Sequence, residues 1–197
     1  MKYKDYKIED FLEKLSSTES MPGGGTVAAL VGANAVSCAL KVCNLSLGKE
    51  KYKDNEKLIK DSIMMLEEKR KLFLDFMDKD AESFKAMEEV YKLPKSADED
   101  KAKRKDALAN ACKICSEIPI KIVITATESL EIVSNLVGKT NVSAVSDLII
   151  AEMLLRATVK GGWENVEINA KYINDDIFLQ QIENVKEIVA EVVQLGG

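Results

Sequence analysis

The sequence predicts an all-α bundle of about six or seven helices with long central helices, on three observations. Apolar residues recur at steps of three and four almost throughout the chain, which is the period of one helix face. Only three prolines and ten glycines punctuate 197 residues, too few turns for a β-sandwich. A hydrophobic share of 46% beside 31% charged residues supplies enough apolar surface to offset chain entropy, which excludes disorder and fibrous repeats. The length suits a single domain spanning residues 1–197.

Each element has its own signal. Ile8, Phe11, Leu12 and Leu15 mark a short first helix that Ser16, Ser17 and the segment through Gly25 bring to an end. From about Thr26 to Leu47 an alanine-rich stretch carries Gly32, Ser37 and Cys38, and small residues on several faces predict a central helix with close neighbours. A long third helix follows Ile59, Ile63, Leu66, Arg70, Phe73, Met77, Asp80, Phe84, Met87 and Tyr91 up to Pro94, with Arg70 and Asp80 as the two charges on its apolar line. The charged run Lys95 to Lys105 reads as a solvated connection and the exposed start of a fourth helix, which continues through Ala109, Cys112 and Cys115. Ile118 to Val137 keeps helical spacing despite its β-branched content, so Pro119 is expected in the first turn of a fifth helix that stops at Gly138. A sixth begins near Ser143 and runs toward Ile173, where Gly161-Gly162 predicts a kink or a close backbone contact. Asn174 or Asp175 is expected to cap a seventh, whose stripe is Phe178, Ile182, Val185, Val189 and Val192.

Composition narrows the chemistry. The chain contains no histidine, which excludes imidazole bases, Ser-His-Asp and Cys-His nucleophiles and His-ligated zinc. Proton transfer must use carboxylate, lysine, tyrosine, thiol or water. A formal charge of −5 has the wrong sign for a general nucleic-acid binder. No membrane partner is expected either, because the most apolar stretch, Met21 to Leu40, is interrupted by Pro22, glycines and polar residues. The charged beginning of the chain lacks the apolar run of a signal peptide, and a cytoplasmic location is expected. Cys112-x-x-Cys115 stands without a second such pair, so packed, reduced thiols are expected rather than a metal or redox site.

Several features could carry function. Gly23, Gly24 and Gly25 stand together ahead of a helix start at Thr26, where bare backbone amides and the positive dipole end could meet a polar ligand. A tight helix entry would use the same glycines, and the lysine and hydroxyl spacing of a phosphate-binding loop is missing. Asp80 on an apolar face must be ion-paired, with Arg70 or a nearby lysine, or else be a functional carboxylate. Lys139, Asn141 and Asp147 gather polar chemistry at a helix junction, and Asn44 and Asn169 are amides on otherwise apolar helices.

The blocks PGGGTVAALVGANAVSCALKVCNLSLGKEKY (22–52), DKDAESFKAM (78–87), GKTNVSAVSDLIIAEMLLRA (138–157) and NVEINAKYI (165–173) resemble the cyclodeaminase family, over almost the whole chain and in the family's order. That family includes the C-terminal domain of formiminotransferase-cyclodeaminase and stand-alone methenyltetrahydrofolate cyclohydrolases. The resemblance implies an all-helical, dimer-forming subunit, without metal or organic cofactor, acting on one-carbon tetrahydrofolates. The leading expectation is hydrolysis of 5,10-methenyltetrahydrofolate to 10-formyltetrahydrofolate; the alternative is ammonia-releasing cyclisation of 5-formiminotetrahydrofolate, and a bundle that only binds folate or acts as a scaffold ranks behind both. With histidine absent, Asp80 or Asp147 is expected to move the proton, with Lys139 positioning the adduct. Gly23, Gly24, Gly25, Thr26, Asn44, Asn141 and Asn169 are expected at the pterin, and Lys49 or Lys51 at the anionic glutamate tail.

Overall fold

The computed structural model describes residues 2–194 and contains, among them, seven α-helices and no strand. They are α1 (Ile8–Leu15), α2 (Gly24–Ser46), α3 (Glu56–Ser83), α4 (Lys85–Lys92), α5 (Asp98–Leu136), α6 (Val145–Ala170) and α7 (Asp176–Gln194). The all-α expectation therefore holds.

Four long helices make the bundle. Thr26 at the start of α2 meets Asp80 near the end of α3, and Gly32 faces Phe73, so these two run antiparallel. Lys69 of α3 pairs with Glu128 of α5, and Ser83 meets Cys115, which reverses direction again. Gly162 of α6 packs on Pro119 and Val123 of α5, while Lys41 of α2 reaches Asp147 near the start of α6. The order α2, α3, α5, α6 is thus alternately up and down around one core, in the manner of a four-helix bundle. The α2 helix is long and apolar enough to cross a membrane, with a mean hydropathy of 1.6. Here its fully buried Ala29, Ala35, Val36, Ala39, Val42 and Cys43 belong to the core of the bundle.

Two boundaries differ from the periodicity. The expected third helix is broken at Phe84, because the Ser83 hydroxyl donates to the Asp80 carbonyl at 2.7 Å and competes with the Phe84 amide, which reaches the same oxygen at 3.3 Å. The expected fourth and fifth helices are instead one helix of 39 residues with Pro119 inside it. Interrupting a helix with proline costs about 3 kcal/mol. Cys112, Ile118, Ile120, Ile122 and Val123 are buried on both sides of it, and that packing keeps the axis continuous. The start of α5 carries Asp98, Glu99 and Asp100 at its positive dipole end, and Asp100 accepts from the Ala97 amide at 3.3 Å. Gly161-Gly162 lies within α6, and a Cβ on Gly162 would lie 2.9 Å from Val123 Cγ2, so this is the close-contact alternative. Asp175 caps α7, accepting from the Phe178 amide at 3.0 Å.

Candidate active site

At one end of the bundle a cavity of about 490 Å³ opens between the start of α2, the end of α3, α4, the middle of α5 and the last turns of α6. Its volume falls within the usual range for small-molecule sites. Gly23, Gly24 and Gly25 form one wall; Phe84 at the break, with Met87 and Tyr91 of α4, faces Leu108, Cys112 and Cys115 of α5; Asn165 and Asn169 close the α6 side. The break at Phe84 turns the α4 side chains into this space.

Among the described residues, Asp80 is the one titratable carboxylate on the cavity lining. It is only 8% exposed, and Arg70 does not compensate it, being paired with Glu67 on its own helix. Instead the buried Thr26 hydroxyl donates to Asp80 Oδ2 at 2.8 Å, and the Thr26 amide adds a backbone hydrogen bond. Asp80 thereby caps α2 from a different helix, meeting backbone donors that no side chain of α2's own N-cap, Gly23, satisfies. A Cβ on Gly25 would lie 2.2 Å from Asp80 Oδ1, so glycine is what lets the carboxylate sit on the helix end. Burial raises the Asp80 pKa above the ordinary carboxylate value, and the Thr26 hydrogen bonds oppose that rise without cancelling it. Such a group can hold or release a proton closer to neutrality than an exposed aspartate.

The thiols beside it are poor nucleophiles. Burial pushes Cys115 up to about 11, Cys112 is shifted in the same direction, and the Cys115 thiol donates to the Ser83 carbonyl at 3.4 Å. All four cysteines are free. Among the described residues no three His, Cys, Asp or Glu side chains converge in a way that could hold a metal.

The sequence-derived candidates divide between two ends of the bundle. Gly23, Gly24, Gly25, Asp80 and Asn169 line the cavity, and Thr26 contacts Asp80 directly. Asn44 is exposed near the other end of α2, about 30 Å along the axis from Gly25 at the α-helical rise. Asn44 falls beside the buried Val42–Cys43 face, outside the core. Lys49 and Lys51 are exposed just beyond it, Lys51 lying over the Tyr52 ring. Asn141 has a local role, accepting from the Ser143 amide and donating to the Leu45 carbonyl. Asp147 pairs with Lys41 at 2.9 Å, and the Lys139 carbonyl accepts from Asn55. These six residues do not line the cavity within this chain. Asn165, Met87 and Tyr91 do line it and were not singled out as site residues, although the i, i+4 spacing of Asn165 and Asn169 was a readable signal.

Comparison with known proteins adds four findings. The family model described as formiminotransferase-cyclodeaminase matches residues 7–187. The chain is 32% identical to a methenyltetrahydrofolate cyclohydrolase of Methylorubrum extorquens over 190 residues, covering 96% of this chain and 90% of that protein. It is 28% identical to the formimidoyltransferase-cyclodeaminase of Mus musculus over 177 residues, which is 90% of this chain but 33% of the mouse protein. Among solved structures, a formiminotetrahydrofolate cyclodeaminase from Thermotoga maritima superposes with a TM-score of 0.82 at 26% identity, covering 96% of this chain and 93% of that one.

Proposed function

Because the chain belongs to the formiminotransferase-cyclodeaminase family, we propose that it hydrolyses 5,10-methenyltetrahydrofolate to 10-formyltetrahydrofolate in the cavity at the α2 N-terminus, with Asp80 as the proton-transfer group. The observation that carries the reading is the buried, Thr26-bonded Asp80 carboxyl in an otherwise largely apolar pocket. Near-full coverage of a stand-alone cyclohydrolase favours hydrolysis. The alternative, ring closure of 5-formiminotetrahydrofolate with loss of ammonia, is supported by the likeness to the formiminotetrahydrofolate cyclodeaminase from Thermotoga maritima. The tetrahydrofolate derivative is the substrate in either case, and no separate cofactor enters the proposal.

The chemistry follows from the charge of the groups. The methenyl carbon bridges N5 and N10 as an amidinium cation, and an ionised Asp80 beside it stabilises that charge. Water attacks the carbon while the carboxylate takes one of its protons. Asp80 then returns that proton to N5 as the C–N5 bond breaks; the hydroxyl proton leaves to solvent and the formyl group stays on N10. In the alternative reaction N10 attacks the formimino carbon and its proton passes to the formimino nitrogen; protonated Asp80 gives that nitrogen a second proton as the C–N bond breaks, so ammonia leaves and the amidinium cation remains. Both routes need one carboxyl group that alternates between its two states near neutral pH.

Purified protein incubated separately with each folate distinguishes the readings. Loss of methenyl absorbance above the spontaneous rate is expected; ammonia release from the formimino substrate would establish the alternative, and no turnover of either would overturn both. The Thr26 hydroxyl supplies a further expectation. Thr26→Val removes a bond that lowers the Asp80 pKa, so the pKa rises further. Since hydrolysis uses the ionised form, the rising limb of kcat/KM against pH moves to higher pH, and stability falls by about 1 kcal/mol for the lost hydrogen bond. An unmoved limb would remove Asp80 from the proton transfer.

The proposal includes a homodimer. Val137, Val142, Val145 and Ile149, each more than half exposed, line a groove of about 470 Å³ at the α5–α6 junction, and Met153, also more than half exposed, follows Ile149 one turn further along α6. Contiguous apolar surface of this kind commonly marks an interface. Ile149→Asp is expected to convert a dimer to a monomer by light scattering, whereas a monomeric wild type would refute the assembly.

A further inference from the structure

The two amides on the α6 wall are held in a way that core packing does not require. Asn165 Nδ2 donates to the Gly161 carbonyl at 2.8 Å, and Asn169 Nδ2 donates to the Asn165 carbonyl at 3.0 Å. Each side chain folds back on its own helix by the same i to i−4 bond, which fixes the amide and spends one of its donor hydrogens. Among the described residues neither Oδ1 receives a hydrogen bond, and both side chains are half-buried on the cavity lining. Four-residue spacing puts them on one face, with Cβ atoms about 5–6 Å apart. Asparagine is a poor helix former, and two on one line of the same helix are locally unfavourable. The α2 N-terminus lies against the first of them: a Cβ on Gly24 would stand 3.2 Å from both Oδ1 and Nδ2 of Asn165.

Opposite them, α5 contributes Pro119, which has no amide hydrogen to give to the Cys115 carbonyl. The end of the cavity between the bundle helices is therefore rich in acceptors, and among the described residues Asp80 is its single titratable carboxylate. A ligand that fits this wall presents several N–H donors along one edge. In a reduced folate the 2-amino group and the adjacent N3–H are two donors side by side on one edge, at the far end of the molecule from the glutamate tail.

We propose that Asn165 and Asn169 form the subsite that reads the 2-amino edge of the pterin, using their two side-chain oxygens as paired acceptors and thereby setting the one-carbon bridge beside Asp80. This inference rests on the folate reading above. It assigns Asn165 a role in substrate recognition and makes the pair determinants of specificity rather than of proton transfer.

The test replaces each amide by an apolar side chain of similar size and better helix propensity, Asn165→Leu and Asn169→Leu, so that folding is maintained. Turnover of the folate substrate is measured together with calorimetric binding of a tetrahydropterin fragment and of its 2-desamino counterpart. Wild type is expected to bind the 2-amino fragment about tenfold or more tightly than the desamino one. In each variant that ratio falls toward one and KM rises by about tenfold, while kcat changes by less than about threefold. Variants that keep both the wild-type ratio and the wild-type KM would overturn the assignment, as would a wild type that does not distinguish the fragments. Absence of wild-type turnover on either folate is a different result, which refutes the folate reading itself before any variant is considered.

Discussion

Asp80→Asn is expected to lower turnover about 10²- to 10⁴-fold, the usual contribution of a positioned acid–base group, while leaving the fold intact. The asparagine side chain is isosteric, and its Oδ1 can still accept from the Thr26 hydroxyl that now bonds Asp80 Oδ2 at 2.8 Å. The effect on stability has a definite sign. Burial raises the Asp80 pKa in the folded chain, so the folded state holds the proton more tightly than the unfolded state does. Between the unfolded and folded pKa values stability falls as pH rises, and at neutral pH the ionised, buried group is a cost. Asparagine carries no such cost, so the melting temperature at neutral pH should equal or exceed that of wild type. A thermal scan beside the kinetic assay checks both halves; full activity in the variant would remove Asp80 from the chemistry.

The second large effect is expected from Gly25→Ala. The added methyl carbon would stand 2.2 Å from Asp80 Oδ1, 2.7 Å from its Cγ and 2.9 Å from Oδ2, well inside contact distance. Either the carboxylate swings away from Thr26 or the first turn of α2 retreats, and both uncouple the cap from the cavity. Overpacking of this kind costs about 1–3 kcal/mol, and activity should fall at least as far as in Asp80→Asn. Gly161→Ala provides the contrast. Its Cβ would meet Ala28 Cβ at an ordinary 3.5 Å, and alanine within a helix gains about 0.5–1 kcal/mol over glycine, so this variant should melt higher. Equal melting temperatures for the two variants would contradict the close approach at Gly25.

These residues show how far the sequence is legible. Periodicity marked every helical stretch because apolar spacing is a local property, but it joined α3 to α4 and divided α5, at two joints that depend on something else. A serine hydroxyl bonding to the Asp80 carbonyl ends α3, and burial on both sides of Pro119 carries α5 through a residue that ordinarily stops a helix. Asp80 was legible because a carboxylate on an apolar stripe needs an explanation. Its partner was not, since Thr26 lies 54 residues away and Arg70 was the nearer candidate. The family-like blocks identified membership without location. In a bundle whose four long helices run roughly 35–60 Å at the α-helical rise, residues of one motif can lie at opposite ends, which is why Lys139, Asn141 and Asp147 stand far from the cavity lining in this chain. Met87 and Tyr91 read as core positions; the break at Phe84 makes them cavity wall.

The central claim is that Asp80 titrates at the reacting carbon. The pH dependence of kcat/KM for 5,10-methenyltetrahydrofolate hydrolysis, measured for wild type and for the residual activity of Asp80→Asn, tests it most directly. The account predicts a wild-type rate that climbs with pH through an ionisation above the ordinary carboxylate range, and the loss of that ionisation in the variant. The same ionisation in both proteins would contradict it.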